Sequence, residues 1–491
     1  MALRKCRQIA HQTIPYPTMI PHPDQTTTGA SFAQFRRRAF VAIEDVRLQT
    51  ALEGATGRFR QHREAALAAL PEADALRDHL KAVRAATLAD LAHHLETFER
   101  QAIAAGARVH WARDAAEARA IITNLARQNG VKLVTKTKSM ATEEIGLNQA
   151  LAEAGVTPVE TDLGEWIIQL AGEPPSHIIA PAVHKTRHQV AQLLSRETGQ
   201  DLIADDIPRL TAAAREHLRA RFLQADMGIT GANIGVAETG SIVLVTNEGN
   251  AEMTTSLPPI HVVLMGIEKI APTWDDAAAW LSLLARSATG QPLSVYTTIL
   301  TGPARADDPE GPRQMHIVLL DNGRSRLLNT LYEEVLQCIR CGACLNVCPV
   351  YREAGGHAYG SPYSGPIGAV ITPLLFGLEQ YAALPHASTL CGACRDACPV
   401  RIDLPRLLLS LREEEVARNV LPWPDRAAER SAAFILAHTR LLHATRTLLR
   451  PFTNIATTES DFSPLHALTA GRKLPSLAAR SFHQIWRDGE V

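Results

Sequence analysis

The sequence predicts an α/β domain followed by a helical, cysteine-rich metal-binding region and a helical or irregular C-terminal region. Two features lead to that class. Between residues 106 and 322, helical stretches alternate with short apolar runs rich in β-branched residues, the pattern of a sheet covered by helices. Seven of the eight cysteines then crowd between Cys338 and Cys398, at spacings that suit metal ligation in a reducing compartment better than disulfides in a secreted chain. The length of 491 residues fits about three domains. A formal net charge of -1 argues against nucleic acid as the main partner. With 46% hydrophobic and 21% charged residues, the chain is a globular protein rather than a disordered one.

Residues 1–34 begin polar and rich in Pro and Thr, from Tyr16-Pro-Thr through Gln25-Thr-Thr-Thr, and are expected to form a flexible extension, with Met19 an alternative start. Residues 35–105 carry stripes such as Leu76, His79, Leu80 and Val83, then Leu88, Leu91 and Leu95, which predict two or three amphipathic helices. In the α/β stretch, 106–322, strands are expected at Val131–Thr135, Val156–Glu160, His177–Ala180, Ser241–Thr246, His261–Met265, Val295–Thr301 and His316–Leu320, with a helix over Thr142–Ala154. The cysteine region, 323–412, is expected to have a helical lead-in over Leu327–Leu336, a helical Leu374–Leu384 and a helical exit over Leu404–Arg412. In the C-terminal region, 413–491, Leu421-Pro-Trp-Pro marks a boundary before a helical run from Ala427 to Arg450.

Ala354–Leu378 holds no Asp, Glu, Lys or Arg, but Pro362, Pro366, Pro373 and six glycines oppose a continuous spanning helix. Arg36-Arg37-Arg38 leads into Glu44 and Asp45 rather than an apolar export segment. A cytoplasmic protein is expected.

The cysteines form a repeat at an offset of 50 residues. Cys341-Gly-Ala-Cys344-Leu-Asn-Val-Cys348-Pro-Val matches Cys391-Gly-Ala-Cys394-Arg-Asp-Ala-Cys398-Pro-Val, and Cys338 precedes the first copy. The first copy reads C-x2-C-x2-C-x3-C-P, the bacterial ferredoxin run, in which the fourth cysteine reaches the other cluster. Crossed ligation assigns Cys338, Cys341, Cys344 and Cys398 to one iron–sulfur cluster and Cys348, Cys391 and Cys394 to a second. Zinc, which closes with four ligands, leaves the repeated C-x3-C-P unexplained. The position matching Cys338 is Ser388, so the second cluster has three cysteines. A three-iron cluster, a four-iron cluster with a non-Cys ligand, or one with an open iron all suit that set, with Ser388, His386 and His357 as candidate ligands. Cys6 stands alone as an ordinary thiol.

Three polar clusters mark the α/β domain. Lys138 and Ser139, in a loop that opens a helix, suit a carboxylate or phosphate, or simply cap that helix. Glu160-Thr-Asp-Leu-Gly-Glu165 forms a second cluster. His184 and His188, four apart downstream, lack a metalloprotease glutamate and read more simply as a helix start. Asn233, Glu238, Asn247 and Glu248 cluster at glycine turns around an apolar strand, either facing a ligand or making the turns. Neither a G-x-G-x-x-G nor a P-loop pattern is found.

Together these stretches resemble the iron–sulfur subunit of the bacterial three-component L-lactate utilisation system, over roughly residues 35–490. The match rests on Thr137-Lys-Ser-Met through Asn148, Glu160-Thr-Asp-Leu-Gly-Glu165, Pro175-Ser-His-Ile, Gly231-Ala-Asn, Asn247-Glu-Gly-Asn and the seven-cysteine pattern, its missing eighth included. The resemblance implies an α/β lactate-utilisation domain like that of sugar-phosphate isomerases and CoA transferases, then an α-helical ferredoxin-type domain with two [4Fe-4S] clusters. It also implies electron transport during oxidation of L-lactate to pyruvate. Two partner subunits are implied, a heterodisulfide-reductase-like Cys-rich protein and a second lactate-utilisation-domain protein, with an electron acceptor downstream. Two other readings compete: a self-contained lactate dehydrogenase component using Lys138, Asn233 or Glu248, and a non-redox acyl- or CoA-transferring domain with Glu238 or Glu248 as nucleophile.

Overall fold

The computed structural model describes residues 29–308, 310–421, 423–445, 448, 478, 480 and 482–489. These fall into two compact units, divided after Glu415. Cys6, Met19 and the polar stretch after Pro451 lie outside the described residues, apart from a short helix, Phe482–Arg487.

Four helices open the first unit, Phe32–Glu44, Val46–Ala68, Ala73–Ala89 and Leu91–Ala104, more than the two or three expected. The breaks are local. Asp45 ends one helix and caps the next by accepting from the Arg47 and Leu48 amides, and Glu72 adopts a left-handed φ of 54°. The described end of the extension is not loose. Ala30 is fully buried, its amide donates to the Gln380 carbonyl, and its own carbonyl accepts from Ala383.

A six-stranded, all-parallel sheet follows in the order β1-β10-β7-β4-β2-β3. Its strands are β1 Arg108–Ala112, β2 Leu133–Lys136, β3 Thr157–Glu160, β4 Met227–Thr230, β7 Ile260–Gly266 and β10 Gln314–Leu320. Every residue of β7 is buried, as befits a central strand of a parallel sheet covered on both faces. One core packs Ile122, Leu125 and Leu151 against Val134, Ile229 and Leu264, while a second gathers Val159, Trp166, Leu194, Leu218 and Phe222. Chain order runs outward from β2 to β3 and in the opposite direction from β4 to β7. Strand order therefore reverses between β2 and β4, where open α/β sheets bind ligands.

A smaller sheet, β8-β5-β6-β9, is built from β5 Ile234–Val236, β6 Ser241–Thr246, β8 Ile270–Ala271 and β9 Tyr296–Leu300. Expectation and structure part at several places. Residues 177–180 form no strand, because His177 turns the backbone by accepting the Ile179 and Ala180 amides on Nδ1, at 3.0 and 3.2 Å. The helix expected over Thr142–Ala154 splits at Gly146 into Met140–Glu144 and Leu147–Glu153. Strands β1, β4, β5 and β8 were not expected.

The cysteine region is short helical pieces. Its lead-in is two 3-10 turns, Ser325–Leu327 and Glu333–Gln337, rather than one helix. Helix Gly365–Phe376, with Pro366 in its first turn and Pro373 inside, replaces the one expected over Leu374–Leu384, where only a 3-10 turn at Leu384–His386 forms. Helix Leu404–Ala417 leads out. The second unit contains helix Trp423–Ala437. Among the described residues no helix is long and apolar enough to cross a membrane.

Candidate functional site

The two cysteine copies fold alike. Gly342 and Gly392, at φ 73° and 85°, each start a one-turn helix, Ala343–Val347 and Ala393–Ala397. The residue before each C-x2-C, Arg340 or Leu390, is also left-handed, at φ 60° and 55°. Paired left-handed residues bend the backbone so that amides point into the loop, and the Arg340 amide donates to Cys338 Sγ at 3.4 Å. Cys348 and Cys398 are extended and followed by proline, which turns the chain away.

Thiols from the two copies meet. Cys341, Cys344 and Cys398 lie within electrostatic reach of Cys338, while Cys348 and Cys394 feel Cys391. Cys338, Cys341, Cys344 and Cys398 line one cavity with apolar Ile178, Ile339, Ile367 and Val400. Burial pushes the Cys341 and Cys394 thiols up to about 12 and Cys398 to about 11. Buried thiols of this kind give up their protons to metal. Four sulfurs around an apolar-walled cavity, with loop amides turned inward, are a donor set that fits an iron–sulfur group. Cys391 is exposed, and the Thr389 hydroxyl with the Ala393 amide lowers its pKa.

Buried cations surround the four-thiol cavity. Arg63 Nη2 donates to the Ala397 carbonyl at 2.7 Å and Arg77 Nη2 to the Cys398 carbonyl at 2.8 Å. Arg84, fully buried, reaches the carbonyls of Glu268, Ile270 and Leu336 and lies over Trp280. Lys269 donates to the Cys338 carbonyl at 3.5 Å. Arg340 lies over the Tyr363 ring, 3.6 Å from Glu268. Glu268 pairs with Arg324 at 2.7 Å, which also grips Glu144. Burial opposes the Glu268 charge, yet Arg324, Lys269 and Arg340 hold its carboxyl down at about 2.

A second polar site stands at the carboxyl ends of β2 and β3. Lys136 and Glu160 are register partners and form a buried ion pair at 2.7 Å. Lys136 Nζ also donates to Thr142 Oγ1 at 2.7 Å and lies 3.3 Å from Glu143. Burial opposes the ammonium charge, but Glu160, Glu143 and Glu165 outweigh it and raise its pKa. Burial and the neighbouring carboxylates push Glu165 well up, and its Oε1 has no hydrogen-bond partner. Burial raises both Glu160 and Glu165, and Glu165, with an unpartnered buried oxygen, is the better placed to hold a proton.

Of the residues singled out from sequence, Lys138, Ser139 and Glu248 gather here. Lys138 Nζ donates to the Ile178 carbonyl, on the wall of the four-thiol cavity. Ser139 is buried, caps the helix Met140–Glu144, and sits where a side chain on Gly231 would collide with it. Glu248 Oε2 accepts from the Leu163 amide at 2.9 Å, and partial burial with the Asp162 charge raises its pKa. Asn233, Glu238 and Asn247 each accept from a backbone amide of another segment. Asn233 Oδ1 accepts from Val245, Glu238 from the Trp274 amide that starts a helix, and Asn247 from Val295.

The candidate fourth ligands are each held by another group. Ser388 Oγ accepts from the Leu390 amide, His386 meets buried Glu415 at 2.8 Å, and His357 meets the Pro174 carbonyl at 2.9 Å. His188 lies on the helix Arg187–Thr198, whereas His184 lies in the turn before it, so the two share no helix face. Lys136 was given no role from sequence, and Glu165 and His177 entered only within the quoted motifs, with no role of their own. A lysine closing the apolar run Val131-Lys-Leu-Val-Thr was the available signal for the first. His177 was hidden, because its role is to join segments: Nε2 meets Asn346 Oδ1 at 3.2 Å, and burial, then Lys138, keeps the ring neutral with a pKa of about 3.

Comparison with known proteins agrees with this division. Residues 95–320 match the LUD domain and residues 334–402 the 4Fe-4S dicluster domain. Lactate utilization protein B of Oceanobacillus iheyensis is 42% identical over 463 residues, covering 92% of this chain and 96% of that protein. The protein of the same name from Macrococcus caseolyticus is 42% identical over 90% of this chain and 94% of its own. An uncharacterized electron transport protein of Escherichia coli K12 is 40% identical over 92% of this chain and 96% of its own. The chain belongs to the lactate utilization protein B family, pairing a LUD domain with a 4Fe-4S iron–sulfur domain.

Proposed function

We propose that this chain is the electron-transfer iron–sulfur subunit of a cytoplasmic complex that oxidises L-lactate to pyruvate. The observation that carries this reading is the four-thiol cavity, whose wall residue Ile178 accepts through its carbonyl from Lys138. A hydrogen bond from Lys138 thus joins the carboxylate-and-lysine site to the wall of the cysteine cage. In this reading Cys338, Cys341, Cys344 and Cys398 hold one [4Fe-4S] cluster, and Cys348, Cys391 and Cys394 hold a second. The second cluster then has three cysteine ligands and one corner for a ligand other than cysteine. Oxidation of lactate releases two electrons and two protons, and the clusters pass the electrons singly. The exposure of Cys391 supports a second cluster that faces a partner. The partners are a heterodisulfide-reductase-like Cys-rich protein and a second LUD-domain protein, handing electrons to an acceptor downstream.

The protein's own residues position and insulate. The His177 ring holds the loop at Ile178 by accepting two amides, and Arg63 and Arg77 clamp the second cysteine copy from the helices that precede the sheet.

Low-temperature EPR on anaerobically purified protein tests the reading. Reduced-cluster signals are expected with dithionite alone, and with L-lactate only once the two partner subunits are added. Signals from L-lactate and the lone chain would move the substrate chemistry into this subunit. Absence of signals under both conditions with partners present would end the electron-transfer reading.

A further inference from the structure

Glu173, His184 and His357 converge from three separate segments. Glu173 follows the helix Leu163–Ala171, His184 lies in the turn before Arg187–Thr198, and His357 opens the 3-10 turn His357–Tyr359. Each offers one ligand atom, and the three atoms lie within 4.8 Å of one another. His184 Nε2 is 2.7 Å from Glu173 Oε2, and the two imidazole rings meet at 4.5 Å and 68°.

Three details fit a cation better than a plain hydrogen-bond cluster. The His184 side chain is 9% exposed, and its Nδ1 is buried with no hydrogen-bond partner. His357 Nε2 donates to the Pro174 carbonyl at 2.9 Å, which leaves Nδ1 with its lone pair free to bind. Metal-bound histidines characteristically donate their second ring nitrogen to such a carbonyl. Lys185 occupies one Glu173 oxygen and His184 contacts the other, so the carboxylate is oriented for one-oxygen binding.

We propose that Glu173, His184 and His357 bind one divalent cation of the zinc class. Two imidazoles and a carboxylate suit Zn2+, whereas Mg2+ and Ca2+ call for oxygen alone and Cu+ for sulfur. Three protein ligands leave the fourth tetrahedral position open for water or a small anion. His357 also borders a cavity of about 320 Å³ lined by Arg37, Asp45 and Ser176. The cation ties the Glu173–His184 loop of the LUD domain to the segment between the two cysteine copies.

The test uses the full-length, cluster-loaded protein under anaerobic conditions. After equilibration with Zn2+ and desalting, one zinc per chain is expected beyond the iron, with only nitrogen and oxygen neighbours in zinc-edge X-ray absorption. Glu173→Gln and His357→Ala are expected to lower zinc retention at least about tenfold with iron content and cluster EPR unchanged, while Lys185→Met retains zinc. Sulfur in the zinc shell would place the metal in the cysteine cage and overturn the site. So would failure of the wild type to retain zinc, or equal retention in both variants. A changed second-cluster EPR signal in His357→Ala would assign that histidine to the cluster instead. The zinc-edge measurement needs no variant, so misfolding of a substituted chain leaves the proposal testable.

Discussion

Lys136 closes a buried strand against Glu160, with Glu143 and Glu165 behind it, and each member depends on the others for a tolerable charge state. Glu165 binds its proton more tightly folded than unfolded. The native state therefore takes up protons over the window just above the ordinary carboxylate range, and this residue's contribution to stability falls as pH rises through it. Glu165→Gln removes that dependence, so its melting temperature relative to wild type should rise between about pH 5 and about pH 8. An unchanged difference would refute the raised pKa. Arg324 is the opposite case, holding two buried carboxylates, Glu144 and Glu268. Arg324→Met leaves Glu144 without its cation and Glu268 with only Lys269 and Arg340 nearby, and should cost about 3–5 kcal/mol in anaerobic denaturant unfolding. None of this charge pairing was legible in the sequence, because Glu144 and Arg324 are 180 residues apart.

At the scale of elements, the cysteine repeat reads directly, since its chemistry lies in spacings of two and three residues that local backbone turns satisfy. The crossed arrangement makes a sharp prediction. Cys398→Ser, though in the second copy, should remove the signal of the cluster held by Cys338, Cys341 and Cys344, while the other cluster stays reducible. Loss of the second signal alone would mean uncrossed ligation. The strand expected at 177–180 failed for a reason of the same scale: apolar residues there pack against the cysteine region rather than a neighbouring strand, and a histidine replaces the ladder as hydrogen-bond partner. Strand β4 was missed because Gly228 weakens its β pattern. The glycine is needed because a Cβ there would lie 1.9 Å from the Thr254 carbonyl of the helix Asn250–Ser256. Gly228→Ala should therefore lower stability by about 1–3 kcal/mol, measurable as a lower melting temperature with cluster spectra intact.

Across the first unit, the LUD domain and the cysteine region are joined by polar seams. Tyr351 donates to the Ser176 carbonyl, His177 meets Asn346, and Arg84 links residues 268–270 to Leu336. The parallel sheet has its own two-faced core, whereas the cysteine region is short turns around thiols. Stripping iron with an oxidant and chelator should therefore leave hydrogen-exchange protection in β2, β4, β7 and β10 while lowering it through residues 334–402. Uniform loss across both would show that the sheet depends on the clusters.

The sequence by itself determined the α/β class, the cysteine repeat and its offset, and the placing of Lys138 and Ser139 at the start of a helix. Each is written in short-range periodicity or spacing, which acts over one strand, one turn or one loop. Only the tertiary structure decided that Lys136 pairs with Glu160 at the sheet end, and that His357 meets Glu173 and His184. These outcomes depend on strand order and on burial. A buried charge is tolerated only where another segment brings its partner, and neither the partner nor the degree of desolvation is set by neighbours along the chain.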